Sequence, residues 1–329
     1  MEIQVQPYPE ARGHTSSHAA GQALDVPAPH PSLATVQRSL KHAADPAAPL
    51  LERLRALCMV SSKLDDFFEL GAAGLVEQKR KAGDLAPALL ECRGIVEDQY
   101  ALLNHEILPG LSRAGIRLLQ PDQYQLAQRA WTRHYFMREI RPLLTPIGLD
   151  PAHPFPQVAT KALHFIVELG GRDAFGRGSR IAIMRAPRVL QRVIRMPASR
   201  NGRTEHAYIL LTSLILAHLA ELFPGREVLA CSQFRVTRNS GLPASDDALA
   251  HLPGELRRRL YGFPVRLEVD AACPRHLAGL LLDQFGLPCE RLFAVNGPVN
   301  LVHLAELDEP GPNAAIASSS GETKQLHTS

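Results

Sequence analysis

The residues best suited to chemistry are gathered in one short run, Ser61-Ser62-Lys63-Leu64-Asp65-Asp66-Phe67. Hydroxyls and an ammonium can donate to anionic oxygens. Lys63 brings three donors and no acceptor on a flexible stem, so it suits a phosphate better than the edge of a base. The same types have a structural reading: Ser61-Ser62 would cap a helix starting near Leu64, with Asp65 and Asp66 in its first turn. A second group is the arginines Arg185, Arg188, Arg192, Arg195 and Arg200. Arg188, Arg192 and Arg195 stand at i, i+4 and i+7, which predicts one face of a helix that could meet an acidic polymer or simply face solvent. The triplet Arg257-Arg258-Arg259 adds to it. Asp150 and His153, each followed by proline, could work as an acid–base pair, although such polar turn residues commonly serve the backbone. His14, His18 and His30 are irregularly spaced in a Pro- and Ser-rich stretch, which does not provide the fixed geometry a metal needs.

These groups require elements to hold them. Leu50, Leu51, Leu54, Leu57 and Cys58 recur at helical spacing, and Leu64, Phe67, Phe68 and Leu70 follow in what reads as a second helix. Ile95, Tyr100, Leu103 and Ile107 mark a third, stopped at Pro109-Gly110. Ile116 to Leu119 reads as a short extended boundary, and Tyr124 to Arg141 as a helix ended by Pro142. Beyond Pro156 the period shortens. Leu163 to Leu169 and Ile181 to Met184 predict a hairpin or meander; Thr204 to Leu210 leads into an apolar helix; Ala230 to Thr237 predicts a strand. Asp247 to Leu260 has a helical pattern. Val265-Arg266-Leu267-Glu268-Val269 alternates strictly, as in a half-buried strand, and Pro274 to Phe285 closes as a helix. The fold class is therefore α+β: a tail over 1–31, a helical bundle over 32–120, an α+β head over 121–307 and a tail over 308–329.

Composition narrows the function classes. Thirty-six basic against 33 acidic residues leave a net charge of +3, and only 5% of residues are aromatic, so neither a nucleic-acid surface nor a base-stacking platform is expected. The five cysteines, Cys58, Cys92, Cys231, Cys273 and Cys289, are scattered and form no C-x-x-C pair, as expected of reduced thiols in a cytoplasmic protein. No window is apolar enough for a membrane span. No Walker-type or kinase Gly-rich phosphate loop is present either.

One stretch is more individual than any of these: Tyr135-Phe136-Met137-Arg138-Glu139-Ile140-Arg141-Pro142-Leu143-Leu144-Thr145-Pro146, running on to Asp150-Pro151-Ala152-His153-Pro154-Phe155-Pro156. Together with Leu51-Glu52-Arg53-Leu54-Arg55-Ala56-Leu57 before the Ser61 run, and with Gln233-Phe234-Arg235-Val236-Thr237-Arg238-Asn239-Ser240, it resembles the long-type (family 1) polyphosphate kinases. The resemblance is collinear from about Ser32 to Leu307. It implies an N-terminal helical domain and a head domain, with ATP and Mg2+ as cofactors and ATP and polyphosphate as ligands. It also implies partners: self-association through the head domain, or a full-length kinase. The phosphorylated histidine of the family belongs to C-terminal domains with no counterpart here. The expectation is thus a phosphotransferase relative cut before its catalytic half and inactive alone; the alternative is a non-catalytic dimerisation module or remnant that associates with a full-length kinase. By the same resemblance the nucleotide-facing positions are Lys63, where the family has Asn, with Ser62 beside it and Arg38 in the preceding segment.

Overall fold

The computed structural model describes residues 33–71, 85–149, 155–171, 180–197, 206–239 and 262–308. Asp150 and His153, Arg200, Arg257 to Arg259, the three tail histidines, the helix expected over Asp247 to Leu260 and, apart from Asp308, both expected tails lie outside them.

Helix α1 (Leu33–Ala44) pairs with α2 (Leu50–Asp66), and α2 runs without a break into a π-helical turn, Phe67–Gly71. Its apolar spacing carries through: Leu51, Leu54, Leu57, Ser61, Leu64, Asp65 and Phe68 all point inward and are buried. The expected helix start at Ser61-Ser62 is therefore corrected. Both serines lie inside α2, and Asp65 sits at its C-terminal end. Ser61 accepts a hydrogen bond from Gln99 Nε2 at 2.9 Å, which satisfies a hydroxyl that would otherwise be an unpaired buried group.

The third helical run, which opens with α3 (Leu85–Leu102), also passes its expected stop at Pro109-Gly110. A π turn, Leu103–Ile107, leads into α4 (Leu108–Arg113), with Pro109 in the first turn of α4. The wider π turn has already shifted the hydrogen-bond register, so a proline lacking an N–H fits where it would break an α-helical ladder. The run ends at Gly115, whose φ of +84° is the left-handed geometry that glycine adopts without strain.

Strand β1 (Ile116–Leu118) pairs in parallel with β6 (His206–Leu210), which pairs antiparallel with β5 (Val193–Arg195). Between β1 and the main sheet lies α5 (Leu126–Tyr135), continued by a π turn (Phe136–Ile140) and a 3-10 turn (Arg141–Leu143). After β6 comes the short helix α6 (Leu211–Ala217), then a 3-10 turn, Leu219–Leu222. The main sheet has the order β2-β4-β3-β7-β8-β9, from β2 (Ile147–Gly148), β3 (Leu163–Leu169), β4 (Ile181–Arg185), β7 (Val228–Arg238), β8 (Pro264–Asp270) and β9 (Leu292–Val295). The β3–β4 hairpin is present as expected. Helix α7 (Arg275–Phe285) makes the crossover from β8 to its parallel neighbour β9.

This sheet is covered on both faces. Ile166, Ile183, Phe234, Leu267 and Val269 pack with Leu277 and Leu281 of α7. The other face, carrying Phe165, Val167, Met184, Phe293 and Val295, joins the core of the N-terminal helices. The last described segment, a 3-10 helix Leu301–Asp308, returns to the start of the chain, where the Cys58 thiol donates to the Leu301 carbonyl at 3.1 Å. Strand β8 alternates as the sequence predicts, but its charged side is not solvated: Arg266 and Glu268 are both buried under α2.

Candidate functional site

The site grows from the C-terminal turns of α2, where side chains face in two directions. Lys63 points to α1, donating to Ser39 Oγ at 2.7 Å and to the Thr35 carbonyl at 3.4 Å. Arg38 and Ser62, the chain neighbours of that bonded pair, are both exposed. The structure thus places Lys63 against α1 and leaves Arg38 and Ser62 exposed, with no hydrogen bond among the described residues joining either of them to Lys63. It also binds the Lys63 ammonium to α1, with two of its three donors on protein acceptors. One ammonium donor of Lys63 remains beyond these two bonds, and it can receive an anionic oxygen but cannot serve as an acceptor.

Asp65 points the opposite way, into the sheet. Its Oδ2 accepts from Arg235 Nη1 at 2.7 Å, and Arg235 Nε donates to Glu268 Oε2 at 2.6 Å. Arg266 Nη2 donates to Glu268 Oε1 at 2.6 Å, and its Nη1 lies 3.6 Å from Asp65 Oδ1. Two guanidiniums and two carboxylates form this cluster, and none of the four residues is more than 5% exposed. Burial works against the Arg235 charge, but Asp65 and Glu268 outweigh it and hold the guanidinium above its ordinary value. Arg266 is flanked by rings, 5.1 Å from the Phe68 centroid and 4.8 Å from that of Phe293. Those π faces stand in for acceptors that its buried Nε and Nη1 lack.

Around the cluster, the helices are pinned to the head by further bonds. Lys161 pairs with Glu69 at 2.5 Å, Tyr100 donates to the Pro298 carbonyl at 2.6 Å, and Asn104 donates to the Asn296 carbonyl at 2.8 Å. Burial raises the Tyr100 phenol, helped by the charge of Glu268, so it stays a neutral donor. The buried Cys58 and Cys92 and the half-buried Cys231 offer no ready nucleophile: desolvation pushes each thiol up to about 12. No group of three or more metal-ligating side chains is found among the described residues.

The expected helix through Arg188, Arg192 and Arg195 is not formed. Arg185 ends β4, Arg188 lies in a turn and Arg195 ends β5, because the segment leaves one sheet and enters another. Sequence reasoning took Arg235, Arg266 and Glu268 for ordinary strand residues. The available signal was the pairing of opposite charges on the same side of β7 and β8, at Arg235↔Glu268.

Two family models cover this architecture almost end to end. The model of the polyphosphate kinase N-terminal domain matches residues 31–119, and that of the polyphosphate kinase middle domain matches residues 127–307. The chain belongs to the polyphosphate kinase family. It is 45% identical over 289 residues to a polyphosphate kinase of Paraburkholderia phytofirmans, and 46% identical over 289 residues to one of Burkholderia vietnamiensis. In each case the match takes in 83% of this chain and 42% of the relative. The crystal structure of a polyphosphate kinase from Porphyromonas gingivalis superposes with a TM-score of 0.72 at 25% identity, covering 86% of this chain and 40% of that one. The chain thus spans about two fifths of the length of the polyphosphate kinases it matches. The expected α+β class, with a helical N-terminal part, agrees with this likeness. No helix of the described residues is long and apolar enough to cross a membrane.

Proposed function

We propose that this chain supplies the nucleotide-facing and scaffolding part of an ATP:polyphosphate phosphotransferase of the cytoplasm, and that these 329 residues do not by themselves transfer phosphoryl groups. The observation carrying the reading is the adjacent match of both family domains over residues 31–119 and 127–307. In it, the exposed edge formed by Arg38, Ser62 and Lys63 faces ATP, with Mg2+ on the phosphates. The buried Asp65–Arg235–Glu268–Arg266 cluster holds that edge in register with the head sheet. Phosphoryl transfer also needs a nucleophile and charge-neutralising groups converging on the γ-phosphate. The described residues bring no such convergence around Lys63.

The test is incubation of the purified chain with γ-labelled ATP and Mg2+. The expected outcome is neither polymer nor acid-labile phosphohistidine. Either product, resistant to repeated purification, would defeat the proposal.

A second reading, a non-catalytic module that self-associates or joins a full-length kinase, is favoured by one feature of the head. The edge strand β2 carries Ile147, 49% exposed, and the 3-10 turn before it ends at Leu143, 46% exposed. Light scattering separates the two: a stable dimer dispersed by Ile147→Lys favours the module.

A further inference from the structure

Ser39 is a buried polar residue of α1, and its hydroxyl meets α2. The hydroxyl donates to the Thr35 carbonyl one turn back at 3.4 Å and accepts from Lys63 Nζ at 2.7 Å. The ammonium donates a second time, to the same Thr35 carbonyl, at 3.4 Å. Three groups thus close a ring between the two helices, and the cation in it rests on two uncharged oxygens. No acidic side chain stands in the first turn of α1 to answer that charge. An ammonium bonds an anionic oxygen more strongly than a neutral one, so an anion competes well for it. The ring also opens without stranding Ser39. With Lys63 gone, the buried hydroxyl keeps its bond to the Thr35 carbonyl, and the released ammonium finds water or an anion.

We propose that Ser39 is a positioning residue, a latch that draws the Lys63 ammonium in against α1 and withholds it from anionic ligands at the α1–α2 edge. Closed, the latch leaves one ammonium donor; open, it frees all three. It thereby sets how tightly that edge holds a phosphate-bearing ligand and does not alter which base is preferred. This consequence rests on the reading of the edge as nucleotide-facing. The latch itself rests on the hydrogen bonds alone.

Competitive acetylation of the whole chain with acetic anhydride, read by mass spectrometry, tests the latch, with the exposed Lys41 of α1 as internal standard. Lys63 should react severalfold more slowly than Lys41 in the unaltered chain, and Ser39→Ala should bring it up to the Lys41 rate. Alanine favours the helix, so the variant folds, and a general loosening would not single out one amine. Calorimetric titration with ATP at low salt reads the consequence. Ser39→Ala should tighten binding roughly tenfold, about the worth of one charge-assisted hydrogen bond, and should give no gain in a Lys63→Met background. A Lys63 rate unmoved by Ser39→Ala overturns the proposal. So does release of Lys63 with ATP bound no more tightly, or a gain that persists without Lys63. Release of Lys63 with ATP bound by neither chain keeps the latch and overturns the nucleotide-facing reading.

Discussion

Lys63 and Asp65 are two residues apart on α2 and do opposite work. Lys63 joins α1 through Ser39. Asp65 enters the sheet and meets Arg235. Because Lys63 has no acceptor to read a base, nucleotide binding at this edge should be weak, salt-sensitive and nearly indifferent to ATP against GTP. Lys63→Asn restores both donor and acceptor, and it should raise the preference for ATP in competitive titration. Tight, selective ATP binding by the unaltered chain would contradict that assignment. Asp65→Asn is a different experiment. It leaves two buried guanidiniums facing a single carboxylate, so the expected loss is about 3–5 kcal/mol in urea unfolding. A loss below about 1 kcal/mol would mean that the cluster relaxes or admits water.

At the level of elements, helix continuity decided the geometry. The π turns at Phe67–Gly71 and Leu103–Ile107 let α2 and the third helical run pass residues that read as start and stop signals. A local consequence lies where α6 meets α5. His218, at the end of α6, stacks on Phe136 at 5.1 Å, and its Nε2 is buried without a partner. Burial lowers its pKa below 6.5, Glu221 pulls it up and Arg133 pushes it down. The unfolded chain therefore binds this proton more readily than the folded one. The contribution of His218 to stability is complete above pH 6.5 and is lost as pH falls toward the folded value. Urea midpoints measured from pH 7.5 to 5.5 should fall, and His218→Gln should flatten that part of the profile. An unchanged slope in the variant would assign the pH dependence to other groups.

Across the whole molecule, one continuous core runs from Val36 in α1 to Leu307 at the end of the described residues, taking in Phe68, Phe165 and Phe293. The N-terminal helices cover one face of the main sheet, and the closing 3-10 helix covers α2 in return. The helical and head regions should therefore unfold in one transition, seen at the same midpoint by far-ultraviolet circular dichroism and by the fluorescence of Trp131, the single tryptophan. Phe68→Ala removes the ring between the helices and Phe293 and opens a cavity beside Arg266. It should lower stability by about 3–5 kcal/mol while keeping the transition single. Two separated midpoints in the unaltered chain would show that the helices melt independently of the sheet.

Periodicity alone determined the helical face of α2, the β3–β4 hairpin, the strand from Val265 and the closing helix α7, since burial of a stripe or of alternate residues is a local property of the chain. The family was legible by resemblance rather than by periodicity, through the Tyr135-to-Pro156 stretch, the run from Leu51 to Phe68 and the run from Gln233 to Ser240. The pairing of Lys63 with α1, the placing of Ser61 inside a helix and the splitting of the Arg185-to-Arg195 run between two sheets required the fold. So did the burial of Arg235, Arg266 and Glu268. Alternation says that one side of β8 is polar, but it cannot say whether water or another element covers that side. Here the end of α2 covers it: Asp65 lies 3.6 Å from Arg266 of β8 and bonds Arg235 of the neighbouring β7. Charges that would be solvated on a free sheet face must then pair with one another, because a buried charge without a partner is too costly to keep.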